Sequence, residues 1–245
     1  MLKIILGYCR PGHYNINHLK KIISMAEKTL ALIHTSATLV PVFAELCSKY
    51  LPGIKTFYIV DDSLIKNTIA SGKLMPDTAR RVVNYAASAE DGGADYILFT
   101  CSSIGAAVET AATLTTIPVL RVDQPMADKA VQIGKKIGVI ATLSTTLEPT
   151  ADLVKRRAAA VNKEISLFSK LCEGAFDALM NGDPTRHDKL VADALIELSS
   201  KVDVIVLAQA SMARVVNTLP EEEKKVPILS SPVTAMEFLA TVLQP

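Results

Sequence analysis

The chain has 245 residues, 49% of them hydrophobic, and its 26 basic and 25 acidic side chains leave a net charge of +1. This balance, without a basic stripe or an acidic tail, argues against nucleic acid and against an anionic membrane surface as partners. The apolar runs are no longer than a strand and the four cysteines are widely spaced, so we predict a cytoplasmic protein without a membrane span, a secretory signal, a metal site or disulfides.

The first 28 residues stand apart from the rest of the chain. They contain a possible strand over Leu2–Tyr8 and a possible helix over Asn17–Lys28, but no later segment repeats them. We therefore expect residues 1–28 to form an N-terminal extension, and a true start at Met25 is an open alternative.

From Thr29 onward, short apolar strands alternate with helical patterns. The predicted strands are Leu30–Ile33, Lys55–Val60, Tyr96–Phe99, Ile117–Leu120, Ile137–Ile140, Glu164–Phe168, the apolar run before Gln209, and Val226–Leu229. The predicted helices are Leu39–Tyr50, the segment from Pro76 to Gly92, the segment after Cys101, Met126–Lys136, Ala151–Val161, His187–Ser200 and Val233–Leu243. This alternation predicts an α/β fold with parallel sheets.

The second half of the chain repeats the plan of the first. The landmarks that recur after 107 to 109 residues are Thr35 with Thr142, Thr38 with Thr145, Asp95 with Asp203, and Pro118 with Pro227. Several matches at nearly the same separation favour duplication of a β/α half-domain. Ligands of parallel sheets bind beyond the carboxyl ends of the strands, so we expect two pseudo-symmetric halves to face each other across a cleft that contains the active site.

The expected cleft contains a thiol. Cys101 ends a buried strand and precedes a helix, whose free amides would lower the pKa of the thiol below about 7.5. The hydroxyl-bearing residues expected around it, which together could bind a small carboxylate, are Thr35, Ser36, Ser102, Ser103, Thr142, Thr145 and Ser211. His34, at the expected mouth of the cleft, is a candidate proton-transfer group.

Each of these residues also has a purely structural interpretation. Cys101 could be a small apolar filler, Ser102 and Ser103 could only cap a helix, and His34 could make a structural hydrogen bond. Thr142 and Thr145 could only shape a turn. No glycine-rich nucleotide loop is present, so the sequence predicts no cofactor.

Four stretches together resemble the aspartate/glutamate racemase superfamily, whose relatives include hydantoin racemases, maleate isomerases and arylmalonate decarboxylases. The stretches are His34–Thr38, Thr100–Ser103, Thr142–Pro149 and Leu207–Met212. The resemblance implies two Rossmann-like half-domains with cofactor-free chemistry between them, and usually a homo-oligomer. It also implies that the C-terminal helix packs back on the first half, which would comprise residues 29–125 and 230–245, with residues 126–229 as the second.

The resemblance also implies roles for individual residues. In racemases of this family, one cysteine from each half exchanges a proton on opposite faces of the substrate. Cys101 matches the first cysteine, with Ser102 and Ser103 as carboxylate binders beside it. Gln209 stands in the place of the second cysteine, and Ser211 stands where glutamate racemases carry a histidine. A glutamine amide does not titrate, so Gln209 cannot be a general base.

We therefore expect a cofactor-independent racemase or isomerase of a small carboxylate, either an amino acid or a related acid, in which His34 or water is the second proton carrier. Two alternatives stay open. A decarboxylase of a malonate-type acid would need a single thiol as proton donor. A binding protein for small carboxylates would need no thiol chemistry.

Overall fold

The computed structural model describes residues 28–244, so the elements predicted before Lys28 lie outside the described residues. Two four-stranded sheets form the core of this part, and every strand pairing in them is parallel. The first sheet has the order β2-β1-β3-β4 and the second has the order β6-β5-β7-β8. The predicted α/β class with two pseudo-symmetric parallel sheets is therefore confirmed.

The elements alternate along the chain as predicted. The strands are β1 (Thr29–His34), β2 (Lys55–Val60), β3 (Tyr96–Phe99), β4 (Val119–Arg121), β5 (Lys136–Ala141), β6 (Ser166–Leu171), β7 (Val204–Leu207) and β8 (Ile228–Ser230). The helices are α1 (Leu39–Tyr50), α2 (Ser63–Ser71), α3 (Pro76–Asp91), α4 (Gly105–Ala112), α5 (Gln124–Ile133), α6 (Ser144–Ala160), α7 (Ala175–Met180), α8 (Pro184–Ser199), α9 (Ala213–Thr218) and α10 (Ser231–Leu243). Short 3₁₀ turns cover Ser102–Ile104, Ala210–Met212 and Glu221–Glu223.

The central strands are buried on both faces. In β1, Leu30 and Leu32 pack with α1 and α10, whereas Ala31 and Ile33 pack on the opposite face with α3 and α4. Side chains of a strand alternate between faces, so a continuous apolar run is the sequence that a doubly covered strand requires.

The helix at the end of the chain covers the first sheet. Met236 and Leu239 of α10 belong to the same buried cluster as Leu32 of β1. Helix α5 instead packs on the second sheet, where Met126 contacts the cluster around Val139. The helices that cover this face of the first sheet therefore come from distant parts of the sequence.

The sequence repeat is also a repeat of hydrogen bonds. Asp95, just before β3, accepts a bond from the amide of Thr29 at 2.8 Å. Asp203, just before β7, accepts one from the amide of Lys136 at the same distance. In each half, the aspartate thus ties the start of one central strand to the start of its neighbour.

Several helices differ from the prediction, and Lys136, the predicted end of α5, is instead the first residue of β5. Helices α2 and α7 were not predicted, because each is short and begins within a polar loop. Helix α6 begins at Ser144 rather than at Ala151, and Pro149 lies inside it. A proline inside a helix removes the bond from its own amide to the carbonyl four residues earlier and crowds that carbonyl with its ring, yet this helix continues past Pro149. Thr145 and Thr146 consequently lie in a helical turn and not in a loop.

Candidate functional site

The Cys101 thiol lies at the carboxyl end of β3 and is half-buried. The hydroxyls of Thr35 and Ser103 and the backbone amides of Ser103 and Ile104 contact its sulfur. Thr35 directly follows β1, which is the neighbour of β3 in the sheet. The parallel register therefore brings the ends of two strands and one 3₁₀ turn together around a single sulfur atom.

The predicted lowering of the thiol pKa is wrong in direction. Burial raises the pKa of Cys101 above its ordinary value, and the hydrogen bonds from Thr35, Ser103 and Ile104 only partly oppose this. The amides come from a three-residue 3₁₀ turn, whereas loss of water disfavours a thiolate from every side. Burial therefore favours the protonated form of the Cys101 thiol.

A hydrogen bond between the halves closes one side of the site. Ser103 Oγ lies 3.1 Å from Thr146 Oγ1, at the start of α6. Ser102 and Ser103 are each 5% exposed, so both hydroxyls lie inside the protein. The sequence does not point to Thr146, because Pro149 predicts a helix that starts only after it, whereas α6 begins at Ser144.

The second half presents an amide at the corresponding place. Gln209 lies two residues beyond the end of β7 at Leu207, and its Oε1 lies 2.6 Å from the amide nitrogen and 2.9 Å from the hydroxyl of Thr142. The nearby Thr145 Oγ1 is buried and has no partner among the described residues. Since an unpaired buried hydroxyl costs about 1–3 kcal/mol, this atom is suited to a bound ligand or water.

Two predicted binders lie less centrally. Ser36 pairs its hydroxyl with that of Thr38 at 2.8 Å. Ser211 is exposed in the turn after Gln209. The structure thus brings together Thr35, Cys101, Ser103 and Thr146 on one side and Thr142 with Gln209 on the other, and it brings neither Ser36 nor Ser211 into these contacts.

The predicted place of His34 at the cleft mouth is wrong. His34 is fully buried and its ring lies against Phe43 and Tyr58. Thr100 Oγ1 donates to the carbonyl of Ile33 at 3.2 Å, so it accepts a bond from His34 Nδ1, 2.8 Å away. Nε2 is buried and has no partner among residues 28–244. His34 shares its face of the sheet with Leu32, whereas Cys101 packs on the opposite face, so we assign it no proton transfer.

Acid should destabilise the protein through His34. Burial lowers the pKa of His34 to about 4, whereas the unfolded imidazole keeps a value of about 6.5. The neutral ring therefore stabilises the fold above pH 6.5, and this stability is lost as the pH falls towards 4. At pH 5 the expected loss from this residue is about 2 kcal/mol.

Urea unfolding at pH 7 and pH 5 checks this expectation, with His34→Gln as the matched variant. The variant should lose about 2 kcal/mol less than the wild type between the two pH values, because the amide has no proton to gain. An equal loss in both proteins would contradict the assignment to His34.

A chain of ion pairs, buried only at Arg121 and Asp123, supports the turn that follows Cys101. Arg121 is 4% exposed and makes two bonds to Asp123, of 2.9 and 2.8 Å. It also pairs with Glu109 of α4, which Arg156 of α6 contacts at 2.9 Å. The chain therefore joins the first half to the second. A Cβ on Gly105 would lie 2.2 Å from the Arg121 guanidinium carbon, so the glycine makes room for this cation.

A separate cavity of about 360 Å³ lies between α9, β8 and α10. The paired side chains of Lys129 and Glu237 are among its lining residues. None of the predicted site residues lines it, and it offers no thiol or histidine. We therefore place the candidate active site at Cys101 and Gln209.

The described part of the chain contains neither a cluster of metal ligands nor a membrane-spanning helix. Within residues 28–244, no group of three or more His, Cys, Asp or Glu side chains could hold a metal ion. None of the helices in the same range has the length and apolar character needed to cross a membrane.

Solved structures share this fold. Glutamate racemase isoform RacE1 of Bacillus anthracis is 20% identical, with 89% of this chain and 82% of that chain covered and a TM-score of 0.67. A putative Asp/Glu racemase of Yersinia pestis is 17% identical over 89% and 100% of the chains, with a TM-score of 0.68. Allantoin racemase of Klebsiella pneumoniae is 16% identical over 89% and 88%, with a TM-score of 0.64. At these identities the likeness establishes the fold.

The sequence itself identifies the family. Comparison with curated proteins gave no match. The family model described as Asp/Glu/Hydantoin racemase, however, matches residues 31–239, a range that holds both sheets and both strand-end clusters. The chain therefore belongs to the Asp/Glu/hydantoin racemase family of enzymes.

Proposed function

We propose that this chain is a cofactor-independent racemase or isomerase of a small carboxylate, either an amino acid or a related acid, and that Cys101 carries the proton. The observation that carries the proposal is the Cys101 thiol at the carboxyl end of β3, held by Thr35 and by the amides of Ser103 and Ile104. Hydroxyls from both halves meet beside it, as the bond from Ser103 to Thr146 illustrates.

The surroundings of the sulfur suit proton transfer at the carbon next to a carboxylate. The Cys101 thiolate takes the α-proton, and the electron pair of the broken C–H bond moves onto the carboxylate oxygens as an enediolate. Hydroxyl and amide donors such as those of Ser102 and Ser103 stabilise that charge. By analogy with oxyanion holes, each well-aimed donor contributes about 2.7–4 kcal/mol. Return of a proton to carbon completes the turnover.

Decarboxylation of a malonate-type acid is the second candidate. It is favoured by the raised pKa of the Cys101 thiol, because burial keeps this group protonated and therefore a donor. Loss of carbon dioxide leaves its electron pair on the α-carbon. The thiol then gives its proton to that carbon, and the thiolate left behind takes a proton from solvent to restore the thiol. The reaction needs no base in the second half, where Gln209 cannot titrate.

A substrate panel in deuterium oxide tests the proposal and separates the candidates. The panel contains both enantiomers of aspartate and glutamate, a substituted hydantoin and an aryl-substituted malonate. Deuterium at the α-carbon without net loss of substrate supports the racemase or isomerase. Release of carbon dioxide from the malonate supports the decarboxylase. Cys101→Ala is the control, and turnover that survives in it would overturn both candidates. Binding of dicarboxylates without turnover, unchanged in Cys101→Ala, would indicate a binding protein.

A further inference from the structure

The two halves hold their central side chains in the same way. In the first half, the hydroxyl of Thr35 contacts the Cys101 sulfur. In the second half, the hydroxyl of Thr142 contacts Gln209 Oε1 at 2.9 Å. Thr142 follows Thr35 by 107 positions and Gln209 follows Cys101 by 108. The threonine is thus retained at both strand ends, and only the group that it holds differs.

The orientation of the Gln209 amide follows from its partners. The backbone amide of Thr142 can only donate, so the Gln209 atom 2.6 Å from it must be the oxygen. The Thr142 hydroxyl takes the second acceptor position of the same oxygen. Both lone pairs of Oε1 are therefore occupied, and a flipped amide would set a nitrogen against a backbone N–H.

The Gln209 nitrogen is left with both of its protons available. Nε2 makes no hydrogen bond to another residue in the range 28–244, although the side chain is half-buried. An amide NH₂ group is purely a donor, so a suitable partner is an oxygen that carries or gains negative charge.

We propose that Gln209 Nε2 is a catalytic hydrogen-bond donor to a substrate oxygen that becomes anionic, and that the second half supplies no proton to carbon. This inference rests on the proposed function of Cys101. It narrows the substrate to an acid whose α-carbon exchanges its proton with one side chain only, that of Cys101. The acid places one oxygen against Gln209 while its α-carbon faces the Cys101 sulfur.

The proton balance of such a site is simple. When the Cys101 thiolate takes the α-proton, the C–H electron pair moves onto the substrate oxygen that Gln209 holds, and no proton leaves the amide. The thiol exchanges its proton with solvent and returns one to the same face, whereas inversion requires a water molecule to deliver the proton to the opposite face. Deuterium from solvent therefore enters with retention of configuration faster than the configuration inverts.

The test compares the wild type with Gln209→Glu on the panel acid that the wild type converts. Glutamate keeps an oxygen for Thr142 to bind, but its second oxygen cannot donate and repels an anion. We expect kcat to fall about 10²–10³-fold, as for loss of one oxyanion donor, with unchanged thermal stability. Gln132→Glu, an exposed change of the same chemistry on α5, should keep wild-type kcat.

Thr142→Val provides a second variant, because it removes one of the two bonds that orient the amide. We expect a fall in kcat smaller than that of Gln209→Glu. Thr142→Ser, which keeps the hydroxyl, should restore most of the activity. A merely structural role for Thr142 would leave kcat unchanged in both variants and would overturn its part in orienting the amide.

The outcomes separate this inference from the proposed function. Wild-type kcat in Gln209→Glu, or inversion as fast as deuterium entry in the wild type, overturns the inference and leaves the role of Cys101 intact. Absence of any Cys101-dependent turnover on the whole panel overturns the proposed function, and the inference with it.

Discussion

Gly105→Ala is expected to destabilise the protein by about 3–5 kcal/mol, the cost of breaking a buried ion pair. The added methyl would lie 2.2 Å from Cζ of Arg121, closer than any real contact, so the guanidinium must move. Its movement would leave the carboxylate of Asp123, which is fully buried, without its cation. Such a loss is a large fraction of the roughly 5–15 kcal/mol by which a domain is stable.

Urea unfolding followed by circular dichroism checks the expected loss. Ala106→Gly is the neighbouring control, because Ala106 is an exposed helical position. There the reverse change should cost only about 0.5–1 kcal/mol. In a double-mutant cycle, Gly105→Ala should add little to the cost of Arg121→Met, since the cation that it displaces is already absent. A loss below 1 kcal/mol in the single variant would show that Arg121 has room to yield.

Most of the architecture could be predicted from the sequence, because the central strands are buried on both faces and so must be apolar throughout. The run Leu30–Ile33 and its counterpart Ile137–Ile140 illustrate this. That the two sheets share one plan could also be expected from the repeated landmarks. Asp95 and Asp203 recur because each anchors the same neighbouring strand.

Only those site residues that lie at the ends of strands could be placed from the sequence. Cys101 and Thr35 follow neighbouring strands of the sheet, so their contact could be predicted from the alternation of strands and helices. The burial of His34 was accessible too, since His34 continues the alternation of Leu30 and Leu32 onto the face covered by α1. The prediction considered only its position at the end of the strand.

Other features depend on distances that no pattern supplies. The pKa of Cys101 reflects competition between lost water and a few amides, and the structure decides that competition in favour of burial. Glu109 pairs with both Arg121 and Arg156 and so links two helices and both halves. The bond from Ser103 to Thr146 depends on a helix that continues past Pro149.

Cys101→Ala is expected to lower kcat/KM by about 10²–10⁴-fold, the usual contribution of a positioned acid or base. The matched control is Cys172→Ala. Cys172 also follows a strand end, and burial raises the pKa of its thiol to about 11. It packs in an apolar cluster of the second half that contains none of the predicted site residues, so its loss should leave kcat/KM unchanged. Equal losses in the two variants would indicate damage to the fold and would contradict a catalytic role for Cys101.

The pH dependence of kcat/KM in the wild type shows whether Cys101 removes a proton from the substrate or delivers one to it. Because burial raises the pKa of this thiol, the thiolate is the minor form at neutral pH. If the thiolate removes the α-proton, kcat/KM rises with pH until that pKa is reached. If the thiol delivers a proton to a carbanion, kcat/KM is flat at neutral pH and falls once the pH exceeds the pKa of the thiol. The first profile is that of the racemase or isomerase and the second that of the decarboxylase. Cys101→Ala should lose either profile, and a variant that retains it would place the titrating group elsewhere.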